Sequence, residues 1–230
     1  MAVLLAEERR NLSFIKFPPE SRKNFILGHN GLRNRMAWRP DKTASNMNLI
    51  HWDQEMVLKA KFWILTCFTT KEPPKFCTVA QFPGVNRMQL ERLKIGWEFS
   101  SIRLWFSPYR TTTDREIDFL TRPSTFTQLI WATVEVFGCT LAEIDQDFFV
   151  IVCVYDPPGN RIRERVYETG IPCSECENTE ACSAVFTGLC GVDMSGADRK
   201  SPNLWVFSSF GTICSLIAVH WRILLQMTSN

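Results

Sequence analysis

The densest set of metal-ligating side chains in this 230-residue chain is Cys173, Cys176, Cys182 and Cys190. Thiolates at such spacings can close a tetrahedral zinc site, with Cys-x-x-Cys as its opening half. No histidine lies near them, and Cys182 and Cys190 do not themselves form a close pair. The competing chemistry is oxidation to two disulfides. The three histidines, His29, His51 and His220, are scattered through an opening helix, a segment before a strand and an apolar tail. Asp145 and Asp147 flank a strand start, where a turn role is the ordinary reading. There is no G-x-S-x-G elbow, no phosphate-binding P-loop and no G-x-G-x-x-G fingerprint. A cysteine–histidine nucleophile pair needs a free thiol beside an imidazole. The cysteines here are expected to be committed elsewhere.

The elements that would position these groups follow from periodicity. Residues 1–17 read as an extension, with a glycosylation sequon at Asn11-Leu12-Ser13. Pro18-Pro19-Glu20-Ser21 starts a helix that carries Phe25, Leu32 and Met36 at helical spacing, with His29 packed on it. A second helix after Trp52-Asp53 places Met56, Ala60, Trp63, Ile64 and Cys67 on one face, a core face rather than a cofactor stripe. A third amphipathic segment is expected from about Arg87 to Phe106, through Leu90, Leu93 and Trp97. Thr125–Thr133 reads as a short helix, and Glu135–Ile144 and Phe148–Tyr155 as strands. The second strand is almost wholly apolar, as a central strand with both faces covered should be. Helices around a small antiparallel sheet make an α+β layered domain.

With 45% hydrophobic residues the chain can bury one sizeable core. A formal net charge of +2 gives no reason to expect nucleic acid or a strongly acidic partner. Arg22, Lys23, Arg33, Arg35 and Arg39 are spaced as on a solvated helix face. The apolar start Met1–Ala6 is stopped by Glu7, shorter than the roughly 7–15 apolar residues of a secretory signal. Leu204–Val219 is uncharged, yet just short of the roughly 17–25 residues of a spanning helix. The small residues Ser195-Gly196-Ala197 before a polar spacer suit a lipid-anchor attachment site. Membrane attachment by one device or the other is expected there.

One block organises these signals. Phe126-Thr127-Gln128-Leu129-Ile130-Trp131-Ala132, then Phe137-Gly138-Cys139, then Cys153-Val154-Tyr155-Asp156-Pro157-Pro158-Gly159-Asn160 resembles the signature stretches of the CAP superfamily. That superfamily comprises cysteine-rich secretory proteins, antigen 5 and pathogenesis-related 1. His29-Asn30-Gly31-Leu32-Arg33, Asn46-Met47 with Trp52-Asp53, and Gly84-Val85-Asn86 resemble further family motifs. The run Tyr167–Cys176 is similar to the cysteine hinge of the glioma-pathogenesis-related branch. The resemblance implies a three-layer α-β-α sandwich on a three-stranded sheet, with a CAP domain at 18–165, a hinge at 166–192 and a spacer with hydrophobic tail at 193–230. It implies disulfides Cys139–Cys153, Cys173–Cys182 and Cys176–Cys190. Cys67 and Cys77, whose usual partners are missing, are then left to pair with each other, and Cys214 is odd. Disulfides imply an oxidising compartment.

Typical CAP domains hold a divalent metal on two histidines and two glutamates. Carried over residue by residue, those positions fall on Lys71, Val85, Ser100 and Thr125. A valine has no lone pair, and a lysine brings positive charge toward a cation. The expectation is therefore a non-enzymatic, extracellular, secreted or membrane-associated protein without cofactor or cleft metal. It would act by binding an unidentified protein or a lipid, sterols included. The competing expectations are a metal-dependent hydrolase on another site, which would use His29 or His51, and a decayed paralogue without activity.

Overall fold

The structure, a computed structural model, describes residues 11–69, 74–78, 81–146, 148–177 and 181–193. Its centre is a hairpin of β4 (Val136–Ile144) and β5 (Phe148–Asp156), whose apolar residues alternate between two covered faces. β3 (Val85–Leu90) adds to β5, and β1 (Leu12–Ile15) and the short β2 (His51–Trp52) both pair with β4. The sheet therefore has five strands in the order β1-β4-β5-β3, with β2 parallel to β4, rather than the expected three. β5 is the central strand anticipated from its apolar run.

One face of the sheet is covered by α2 (Gln54–Phe68). Its Ala60, Trp63 and Ile64 pack with Val85, Val150, Val152 and Ala142. Asp53 starts α2 by accepting from the backbone N–H groups of Glu55 (2.7 Å) and Met56 (3.1 Å). The helix lies so close to β4 that a Cβ at Gly138 would sit 2.4 Å from the Val57 nitrogen. Only glycine fits there. The other face is covered by α1 (Pro19–Ala37), α4 (Trp97–Phe106) and α6 (Thr125–Leu129), with Phe25, Trp105, Phe126, Phe137 and Tyr155 in one core. A capping box between Ser124 and Thr127 opens α6. The remaining turns are α3 (Lys75–Thr78), a 3-10 turn at Ser107–Arg110 and α5 (Asp114–Asp118). This is the expected α-β-α sandwich.

Several readings of the sequence are corrected. The stretch 1–17 is not wholly an extension, because Leu12–Ile15 is a strand and Phe17 packs on Phe25, Trp52 and Trp97. Arg87–Phe106 is not one amphipathic helix. Its first residues extend to pair with β5, and Gly96, with φ of 73°, turns the chain before Trp97. The short helix from Thr125 ends at Leu129, four residues before the expected Thr133. Arg33 is not on a solvated face: it is fully buried. In the hinge segment Val166, Tyr167 and Leu189 join the main core. Cys190 also lies against the segment before β2, its N–H donating to the Met47 carbonyl (2.8 Å) and its carbonyl accepting from the Leu49 N–H (2.7 Å).

Candidate functional site

Two of the positions equated with metal ligands have other occupations. Val85 is buried in the apolar cluster beneath α2. The Thr125 hydroxyl donates to the Trp105 carbonyl at 2.8 Å. Ser100 stands exposed on α4, and Lys71 lies outside the described residues. None of the three described side chains is a good ligand for a divalent cation, and one is a hydrocarbon.

The signature residues around them serve the wall itself. The Gly84 N–H donates to Gln128 Oε1 (2.9 Å), Asn86 Nδ2 to the Thr125 carbonyl (3.0 Å), and Thr127 Oγ1 to Asn160 Oδ1 (2.6 Å). Asn160 holds a left-handed φ of 58°, a backbone that asparagine tolerates, and returns Nδ2 to the Ser124 carbonyl (2.9 Å). Two separate motifs, Gly84-Val85-Asn86 and the run ending at Asn160, are thus stapled to α6 and its cap.

Behind that wall is a buried polar chain that sequence reasoning did not find. His29 Nδ1 lies 2.7 Å from the Phe25 carbonyl and Nε2 2.9 Å from the Tyr155 hydroxyl. A carbonyl only accepts, so Nδ1 carries the proton and Nε2 accepts from Tyr155. Asn86 Nδ2 reaches the same hydroxyl at 3.4 Å, and Gln81 Nε2 donates to Asn86 Oδ1 at 3.0 Å. Burial drives His29 down to about 3 and the Arg33 charge adds to this, while the bond to Phe25 opposes it. Burial raises Tyr155 above its ordinary range, against the Asn86 hydrogen bond. Both are therefore neutral at physiological pH. A histidine stacked on Phe137 (4.4 Å) with both nitrogens engaged is neither a free base nor an open ligand. The signal available was Asn86, a polar residue that is fully buried beside Val85 at the start of β3.

Arg33 is the second buried group. It donates to four carbonyls: Nε to Asn48, Nη1 to Leu129 and Trp131, and Nη2 to Ala132. No carboxylate joins it among the described residues. Burial lowers its pKa to about 9, and the carbonyl cage holds the cation in place.

The structure links Cys67 to Cys77, Cys139 to Cys153, Cys173 to Cys182 and Cys176 to Cys190. The sulfurs of Cys173, Cys176 and Cys190 lie within 4.8 Å of one another, the only such group of potential ligands among the described residues. All three are in S–S bonds and have no thiolate to give a zinc ion. His51 is half-buried in β2, and His220 lies outside the described residues. Asn11 is exposed, its N–H on Asp145 Oδ1 (2.7 Å) at the β4–β5 turn; Asp147 lies outside the described residues. No described helix is long and apolar enough to cross a membrane, and Cys214 and Leu204–Val219 lie outside the described residues.

Residues 28–155 match the family model described as CAP, the cysteine-rich secretory protein family. The chain belongs to the CAP family. A cysteine-rich venom protein of Tityus serrulatus is 28% identical over 201 residues, 80% of this chain and 50% of the venom protein. The human cysteine-rich secretory protein LCCL domain-containing 2 is 26% identical over 174 residues, 69% of this chain and 34% of that protein. The chain thus spans about half and about a third of their lengths. Among solved structures, hookworm platelet inhibitor superposes with a TM-score of 0.65 at 19% identity, covering 80% of this chain and 96% of that one. NaASP2, solved with zinc, gives 0.62 at 24%, covering 76% and 97%. These two establish the CAP fold. Secretory membership agrees with disulfides throughout the domain and with an extracellular location.

Proposed function

We propose that this chain is a non-enzymatic secretory CAP protein that acts by binding a protein or lipid partner, and that its cleft holds no divalent metal. The observation that carries the reading is the fate of the cleft positions. Val85 faces hydrocarbon, Thr125 gives its hydroxyl to Trp105, and His29 has both ring nitrogens occupied inside the core. A metal-assisted hydrolase needs an open coordination position on at least three good ligands. The residues in the cleft do not fit that requirement. The glioma-pathogenesis-related arrangement, a CAP domain followed by a short hinge, is the branch we favour. Attachment to membranes through Leu204–Val219 belongs to the same reading.

The test is thermal unfolding of the purified chain with and without zinc. A ligand bound only to the native state adds about 2.7 kcal/mol at 100 times its Kd. No such rise is expected. A zinc-dependent rise that disappears on substituting His29 or His51 would favour the hydrolase alternative. Membrane attachment is checked by flotation with liposomes: the full chain should float, and a chain ending near Val192 should not.

A further inference from the structure

Nearly all of the basic residues between Arg33 and Lys42 are engaged. Arg33 lies buried on its carbonyls, Arg39 is paired with Asp114, and Lys42 is 2.6 Å from Asp118. Arg35 is exposed and has no hydrogen bond or ion pair among the described residues. It lines a cavity of about 340 Å³ with Trp38, Arg39, Pro40 and Tyr109.

Both aromatic walls of the cavity are fixed from behind. The Trp38 indole, 51% exposed, lies against the hinge, where a Cβ at Gly188 would come within 2.7 Å of its Nε1. Gly188 is itself held by its N–H on Asn34 Oδ1 (2.8 Å). Tyr109 stacks on Phe106 (5.3 Å) and meets Phe126 edge-on (5.4 Å). The indole N–H and the Tyr109 hydroxyl have no hydrogen-bond partner among the described residues. The unengaged polar groups of Arg35 and Tyr109 are thus a guanidinium and a phenol, almost all of them donors. The nearby acid, Asp114, is occupied by Arg39. Such a lining selects an acceptor-rich anion with an apolar part. Arg, Trp and Tyr are also the residues in which interface binding energy concentrates. The cavity is at the small end of ligand sites, room for a side chain or two rather than a large free ligand.

We propose that this cavity docks an acidic peptide segment of a partner protein, with a carboxylate on Arg35 and a neighbouring apolar side chain against Trp38 and Tyr109. The net charge of +2 gives no hint of this, because the uncompensated charge is local. The inference rests on the binding reading above and supplies its partner chemistry.

The experiment is fluorescence anisotropy of the full chain with a labelled peptide of alternating glutamate and tyrosine. Its twin carries glutamine for every glutamate. The acidic peptide should bind and weaken with salt, and the glutamine twin and the Arg35→Glu variant should each lose roughly tenfold or more. Lys59→Glu, an exposed charge reversal on α2, should change nothing. Equal binding by Arg35→Glu, an equal loss in Lys59→Glu, or no binding of the acidic peptide would each overturn the site. None of those results bears on the cleft, whereas zinc-dependent stabilisation would defeat the broader reading and leave this titration untouched.

Discussion

Tyr155 donates its hydroxyl hydrogen to Nε2 of His29 across 2.9 Å, joining the central strand to the first helix inside the core. The bond exists only while His29 is neutral, because a doubly protonated ring has no acceptor. The native state therefore holds the imidazole near pKa 3, while an unfolded chain takes up the proton near 6.5. Below pH 6.5 the unfolded state binds more protons, so stability is full above that pH and falls as pH drops toward 3.

Denaturant titrations at stepped pH should show that fall, with a slope approaching about 1.4 kcal/mol per unit from this one group. His29→Gln should flatten the slope, whatever its effect on stability at neutral pH. Tyr155→Phe, which strands Nε2 without an O–H partner, should cost about 1–2 kcal/mol at pH 7.

A second acid-sensitive group, Glu116, lies in the middle of α5. Burial would raise Glu116, but the Thr121 hydroxyl and N–H and the Arg122 N–H and guanidinium all donate to it and hold it near 2. Its contribution is present above the ordinary 4.5 and is lost as pH falls from there toward 2. Glu116→Gln should destabilise by about 1–3 kcal/mol at pH 7. It should also remove the part of the acid slope below pH 4.5 while leaving the part above it. Equal slopes below pH 4.5 in the two proteins would refute the assignment.

Arg33→Met keeps the volume but takes a donor from four carbonyls, leaving those of Trp131 and Ala132 with only the Val134 and Asn48 N–H groups. It should cost at least about 3 kcal/mol. Arg33→Lys should recover only part of this, since an ammonium cannot span carbonyls from residues 48, 129, 131 and 132 at once. Full recovery by lysine would show that charge, not the fork, is what matters.

Cys139 and Cys153 face each other across β4 and β5, 14 residues apart in sequence. Replacing both with alanine should cost about 3 kcal/mol by loop-closure entropy and raise the denaturant m-value, as the unfolded chain expands. An unchanged m-value would place the effect in the native state instead.

Local patterns in the sequence specify those elements whose periodicity is unbroken. Met56, Ala60, Trp63, Ile64 and Cys67 are all buried on α2, and the apolar run at 148–155 is the central strand. The spacing of Leu90, Leu93 and Trp97 misled because a strand end, a turn and a helix start happen to share it. Arg33 carries no local sign of burial: its acceptors lie 15 to 99 residues away. The four tetrad positions were equated through the resemblance alone, whereas the packing of Val85 beneath α2 and the hold of Thr125 on the Trp105 carbonyl come from contacts between distant segments. The partnership of His29, Tyr155 and Asn86 spans α1, β5 and β3, and only the assembled sheet brings them together. Leu12–Ile15 was missed because an edge strand so short has no turn signal before it.

That short strand has a wider consequence. β5 occupies one side of β4 along its whole length, so the other side must be closed piecewise: β2 takes Val136 and Phe137, and β1 takes Leu141 to Ile144. A chain begun at Pro18 would lose the apolar contacts of Leu12, Phe14, Ile15 and Phe17 and leave four residues of β4 backbone unpaired, a ready template for a strand from another molecule. Leu12–Ile15 thus guards solubility as much as it supports the fold, and trimming this end would open an edge to strand-to-strand association.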